Sequence, residues 1–289
     1  MELKADGDTL SAGGRTLRIS IAPDIDATRT QVLREWITEA ARASLSAYGR
    51  FPLEDATVRI SEVVRRSDSP VPWGQTSRGR SVAVLLYVRK GAGLEELRAD
   101  WTAVHELSHL FHPYLGDDGR WLAEGLASYY QNVLRARSGL LGEGEAWRRL
   151  DAGFGRGQRE DSGLRLDELS PGRRGTMRVY WAGAAYWLEM DLTLRRAGSS
   201  LDEVLSGYSD CCLRGTGEVA PADFVARLDG IAGGTGFLDR FREYAASREF
   251  PSLDSSYAAL GLARSTHGGL QFSDRTNAVA LRRAIMRRR

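Results

Sequence analysis

Two stretches one turn apart, VHELSHLF at residues 104–111 and WLAEGLASYY at 121–130, constrain this chain more than anything else in its 289 residues. Both carry the apolar periodicity of a helix. The segment between them, HPYLGDDG, holds Pro113, Gly116 and Gly119, residues that let a chain reverse. The second helix is therefore expected to fold back on the first, with His105, Glu106, His109 and Glu124 distributed between them. Three of the four histidines in the chain lie between positions 105 and 112.

His105 and His109 are four residues apart, which on a helix means a rise of about 6 Å and an offset of roughly 40°, so both imidazoles leave one face. They can converge on one ion. Two neutral imidazoles at that spacing suit zinc, and Glu106, beside the first of them, is placed to act on a water at the metal rather than on the metal. An HExxH pattern also arises by chance on amphipathic helices, so the reading requires a third donor, because catalytic zinc takes three protein ligands. Glu124 supplies one. Flanked by Trp121, Leu122 and Leu126, it is a carboxylate on a largely apolar helix, costly unless a cation or partner neutralises it. One zinc ion held by His105, His109 and Glu124 is the expectation.

The rest of the chain divides by period. TLRISIA (16–22) alternates as a half-buried strand does, and TRTQVLREWITEAARASLSAY places Val32, Leu33, Trp36, Ile37 and Ala40 on one helical stripe. ATVRISEVV reads as a second strand and SVAVLLYV as a buried one, joined by a loop rich in Pro, Gly and Ser. From LEELRADWTAVHELSHLF onward the period is helical, with Leu94, Leu97, Trp101, Val104, Leu107 and Phe111 able to face a core. Strands then become scarce, and GFGRGQRE (153–160) reads as a flexible loop. The fold class expected is α+β, an N-terminal mixed sheet lobe (1–112, including the HExxH helix) followed by a mostly helical lobe (113–289), with the site in the cleft between them.

A formal net charge of +2 supplies no field to draw the molecule onto nucleic acid. The terminal LRRAIMRRR reads as a solvated helix end. No run approaches the roughly 18 apolar residues that a membrane span needs, so no membrane insertion is expected. The first twenty residues lack a hydrophobic signal core, which suggests the cytoplasm, or the periplasm or exterior if a leader was trimmed. Cys211 and Cys212 are adjacent, cannot form a disulfide framework, and read as structural, with a vicinal disulfide as the alternative. His267 reads as a surface residue.

HELSH followed by WLAEGLASYY resembles the gluzincin metallopeptidases, particularly the glycyl aminopeptidase family and more distantly the aminopeptidase N family. VYWAGAAYWLEMDLTLRRAG, SLDEVL, PADFVARL and SSYAALGL extend the likeness, which spans roughly residues 50 to 262. It implies a thermolysin-like catalytic domain, a single zinc ion and peptide or protein substrates. It further implies that Tyr180, in YWAG, matches the tyrosine those families use to stabilise the oxyanion. The interval from His109 to Glu124 is shorter than in those families, and Ala123 and Ala182 depart from residues common there. No GAMEN segment is present; the nearest text, VPWGQTSRGRSV, offers no carboxylate for a substrate's free amine.

His112, one turn beyond the presumed ion, is expected near the substrate or behind the ligands, and Arg178, close to Tyr180, is a candidate for a substrate carboxylate or carbonyl. An edge strand in or near SVAVLLYV could pair with an extended peptide. The resulting reading is a zinc-dependent peptidase, aminopeptidase-like, with two rivals: a zinc endopeptidase or other amide or ester hydrolase, and an inactive peptide-binding module.

Overall fold

The computed structural model describes residues 2–64, 67–160, 162–169, 175–265 and 268–287. His267 lies outside them. Contacts divide the chain into two compact units: Met1–Tyr114 with Leu205–Glu218, and Leu115–Val204 with Val219–Arg289. A segment of α7 (Leu201–Cys211) with the residues after it belongs to the first unit.

The first unit is built on a six-stranded sheet. Its strands are β1 (Lys4–Asp6), β2 (Thr9–Ala12), β3 (Arg15–Ile21), β4 (Asp55–Val63), β5 (Trp73–Arg78) and β6 (Val82–Arg89), in the order β1-β2-β3-β4-β6-β5. β3, β4 and β6 run parallel, and the rest are antiparallel to their neighbours. A parallel step needs a crossover, which α1 (Ala27–Leu45) provides between β3 and β4. Asp26 starts α1 by accepting the Arg29 amide, and Leu33, Trp36, Ile37, Ala40 and Ala41 form its buried stripe. β6, with alternate residues of both faces inside, is the central apolar strand that its sequence suggests.

Two expectations change here. The Pro-, Gly- and Ser-rich loop contains β5, which pairs antiparallel with β6 and is the edge strand near SVAVLLYV on that side among the described residues. The helical run from Leu94 is also broken: α2 (Leu94–Ala99) stops at Asp100, which takes an extended backbone and accepts the Thr102 amide at 2.7 Å, opening α3 (Thr102–Ser108). Trp101, expected in the core, sits at that break and is 43% exposed. α3 tightens into a 3-10 turn at His109–Phe111 and ends where His112 turns extended ahead of Pro113, as residues before proline prefer.

The second unit is mostly helical: α4 (Arg120–Ser138), α5 (Glu143–Gln158), α6 (Thr176–Arg196), α8 (Pro221–Ala232), α9 (Phe237–Ala246), α10 (Asp254–Leu260) and α11 (Thr276–Met286), with a small antiparallel pair β7 (Leu262–Arg264) and β8 (Leu270–Phe272). Trp121 of α4 stacks on Phe241 and meets Tyr186 of α6 edge-on, and the Trp187 indole donates to the Leu122 carbonyl at 2.8 Å. Behind them Tyr130 and Arg137 share the buried carboxylate of Asp202, and Tyr129 donates to Asp191.

The expected loop GFGRGQRE is helical through Gln158. Two of its glycines are there for close packing: a Cβ on Gly153 would lie 2.2 Å from the Trp181 ring, and one on Gly157 would lie 2.5 Å from Phe250. Cys211 and Cys212 are joined in a vicinal disulfide at the end of α7, so the alternative holds in place of two separate thiols. Among the described residues no helix is long and apolar enough to cross a membrane.

Candidate metal centre

α3 buries nearly everything it carries. His105 is 3% exposed and Glu106 7%. The break at Asp100 sets where the helix begins, and with it the direction of both imidazoles. The rings of His105 and His109 stand 5.0 Å apart and nearly perpendicular, and the Trp101 indole stands edge-on to His105 at 5.2 Å.

His112 has a more specific place than a substrate contact. Its Nδ1 lies 2.6 Å from the Pro113 carbonyl, which can only accept, so Nδ1 carries the proton. In a neutral ring Nε2 is then an acceptor, and it lies 3.0 Å from Nδ1 of His109. His109 must donate from Nδ1, which leaves the lone pair on its Nε2 for a metal. A hydrogen bond that fixes ring orientation and tautomer is the usual support for an imidazole ligand. Buried to 4% exposure, His112 stands behind His109, the second of the two places expected for it, and not as a substrate contact.

Glu124 lies in the first turns of α4, with Nε of Arg120 at 3.9 Å from its carboxylate. His105, His109 and Glu124 each offer one ligand atom, and these atoms all lie within 4.8 Å of one another. Donors bound about 2.1 Å from a common ion can stand at most about 4.2 Å apart, so small side-chain adjustments would close such a set around zinc. The chemistry of the set fits too: two imidazoles and one carboxylate are a known zinc triad, and among the described residues this is the one group of three or more such side chains close enough to hold an ion.

The surroundings of α4 depend on two glycines. A Cβ on Gly125 would lie 2.3 Å from the Gly183 carbonyl carbon, and one on Gly183 would lie 2.0 Å from the Trp121 carbonyl oxygen. α4 and α6 therefore cross backbone to backbone at the glycines of WLAEG and YWAG. Glu124 adjoins one of them and Tyr180, half-buried on α6, lies one turn before the other. Arg178, by contrast, is 1% exposed, and its guanidinium donates to the carbonyls of Leu164 (2.8 Å) and Ser247 (2.6 Å). It ties α6 to neighbouring loops, which removes the basis for a substrate contact.

Three residues packed near α3 lie outside the HExxH and WLAEG motifs. Thr76 of β5 donates toward both the carboxylate (3.1 Å) and the main-chain carbonyl (2.9 Å) of Glu106. A Cβ on Gly74 would lie 2.7 Å from Cγ of Glu106 and from Cγ2 of Thr102. Arg78 donates to the carbonyls of His109 (2.7 Å), His112 (2.6 Å) and Gly215 (2.9 Å), and burial pulls its pKa down to about 10. It ties the turn that ends α3 to the segment around Gly215. Period-2 alternation of residues 74, 76 and 78 was the available signal, hidden by turn-forming composition.

Neither a protein-family model nor a curated protein sequence matches the chain. Solved structures do match its fold. An aminopeptidase N family protein from Idiomarina loihiensis superposes with a TM-score of 0.65 at 15% identity, over 90% of this chain and 49% of that one. A variant of an M1 zinc metallopeptidase from Deinococcus radiodurans, bound to a Tyr-Ser-Ala substrate, gives 0.53 at 18% identity, over 87% and 53%. Leukotriene A4 hydrolase from Saccharomyces cerevisiae gives 0.54 at 12% identity, over 88% and 42%. The chain spans about half the length of these proteins. Its fold is thus a mixed α/β fold shared with these three proteins.

Proposed function

We propose that this chain is a zinc-dependent peptidase of the gluzincin type, with one thermolysin-like catalytic domain. The observation that carries the proposal is the triad of His105, His109 and Glu124, whose donor atoms gather within 4.8 Å while Glu106 stands between the two imidazoles in sequence. The fold shared with zinc metallopeptidases supports it.

His105, His109 and Glu124 would hold the ion. Zinc, when bound, supplies a Lewis acid that polarises the scissile carbonyl and acidifies water. The chain's own residues do the proton work. Glu106 takes a proton from the attacking water onto its carboxylate and returns it to the leaving nitrogen, so the peptide bond breaks as amine and carboxylate form. The Tyr180 hydroxyl donates to the oxygen on which charge develops while remaining neutral itself. Burial of Glu106 and His105 keeps bulk water from competing with these hydrogen bonds.

The substrate is a peptide. β5, the sheet edge beside α3, is a strand with which an extended backbone can pair. Its sequence, WGQTSR, carries no carboxylate, so aminopeptidase-like action would take the group that holds a free amine from another element, and a zinc endopeptidase is the alternative. Matched peptides with free and acetylated N-termini separate the two: equal rates support endopeptidase action, and strong preference for the free amine supports aminopeptidase action. The proposal itself is tested by Glu106→Gln, which should bind zinc as the wild type does and lose hydrolysis; hydrolysis retained by that variant would refute the assignment of the base.

A further inference from the structure

β5 turns one face toward the metal helix. Successive side chains of a strand point to opposite faces, so residues 74, 76 and 78 share one face, and all three meet α3 or the turn that ends it. Gly74 meets Glu106 and Thr102, Thr76 meets Glu106, and Arg78 meets the carbonyls of His109 and His112. Three consecutive positions on one face, each fitted to the segment that carries the HExxH residues, make β5 a template for that segment.

We propose that Thr76 and Gly74 are positioning residues for the general base. This rests on the reading of Glu106 as that base. The Thr76 hydroxyl has one proton, and both atoms within its reach, the carbonyl oxygen and Oε2 of Glu106, are acceptors. The two acceptors, at 2.9 Å and 3.1 Å, share that one proton, which keeps Oε2 beside the strand. Oε1 is left as the oxygen that carries the proton between water and leaving nitrogen. Gly74 supplies the room: its would-be Cβ falls 3.1 Å from Oε1 and 2.7 Å from Cγ, so any side chain there would displace the carboxylate. The anchor works in both protonation states, because a carboxyl group protonated on Oε1 still accepts at Oε2.

The same geometry explains the composition of the strand. Its pairing with β6 runs Gly74 to Leu86, Thr76 to Val84 and Arg78 to Val82, so β6 presents aliphatic residues opposite a glycine, a hydroxyl and a cation. An ordinary strand at that place would carry apolar residues toward the helix. The exchange of packing for one hydrogen bond and one gap is intelligible if the strand's purpose there is to hold a carboxylate.

The test uses the zinc-loaded full chain and the variants Thr76→Val, Thr76→Ser and Gly74→Ala. Thr76→Val is close in shape and lacks the donor. It should bind zinc with wild-type stoichiometry, keep KM within about twofold and lose kcat on the order of 10- to 100-fold, the scale on which misplaced catalytic groups act. Thr76→Ser should restore kcat, and Gly74→Ala should lower it at least as far as Thr76→Val. Wild-type kcat in Thr76→Val, or an equal loss in Thr76→Val and Thr76→Ser, would overturn the proposal. If the wild type binds zinc and cleaves no peptide, the peptidase reading fails separately. Crystal structures then decide the positioning: the Glu106 carboxylate should leave β5 in Thr76→Val, and a carboxylate that stays in place would overturn it.

Discussion

Gly183→Ala tests whether the close crossing of α4 and α6 holds the carboxylate end of the proposed metal site. The added Cβ would stand 2.0 Å from the Trp121 carbonyl oxygen and 2.8 Å from Cα of Gly125, both backbone atoms, with no flexible side chain to yield. Restoring an ordinary contact of 3.4 Å requires the helices to part by roughly 1.4 Å at that point. Overpacking of this kind costs typically about 1–3 kcal/mol, and the upper end applies because two helix backbones must move. Alanine returns about 1 kcal/mol of helix propensity, leaving a net loss of about 2 kcal/mol. Gly230 of α8 is the control: it is exposed, a Cβ there would meet nothing within 4 Å, and Gly230→Ala should gain up to about 1 kcal/mol. Denaturant melts of both variants supply the comparison, and zinc titration of Gly183→Ala should show weaker binding because Glu124 adjoins Gly125. If Gly183→Ala is as stable as the wild type, or shifts in the same direction as Gly230→Ala, the crossing does not have the role assigned to it.

Two further outcomes follow from the buried polar groups. Burial raises the pKa of Tyr129, Tyr130 and Tyr186 well above the ordinary tyrosine value of 10.0, helped by neighbouring carboxylates. A raised pKa stabilises the fold below that value; once unfolded tyrosines ionise and folded ones do not, stability falls with rising pH, so melts should show a steady loss above about pH 10. A flat profile there would contradict this. Asp202→Ala removes the carboxylate 3.0 Å from Arg137, whose side chain is 1% exposed, and should destabilise the protein by about 3–5 kcal/mol, read by denaturant melts. A loss under about 1 kcal/mol, the scale of a surface ion pair, would refute that account.

What could be read in the sequence depended on whether one local signal dominated. β6 and α1 announce themselves because SVAVLLYV is continuously apolar and the Leu33, Trp36, Ile37 stripe is strictly helical. His105, His109 and Glu124 were legible because their side chains are chemically distinctive and costly on apolar helices. β5 was not, since Gly74 and Ser77 carry turn-forming signals and the reason for Gly74 is a carboxylate thirty-two residues away. GFGRGQRE misled in the same manner: Gly153 and Gly157 answer to Trp181 and Phe250, which local reasoning does not see. The break at Asp100 was hidden because the apolar period runs on through Trp101 while a single side-chain cap restarts the helix. His112 and Arg178 needed three-dimensional partners before their roles as supports could be distinguished from contact with substrate.

Zinc binding at equilibrium, measured on the purified chain and on Glu124→Ala, addresses the central claim most directly. The account predicts one ion per chain for the wild type and loss of tight binding in Glu124→Ala, with the variant still folded. No uptake by the wild type, or the same affinity in both, would contradict it.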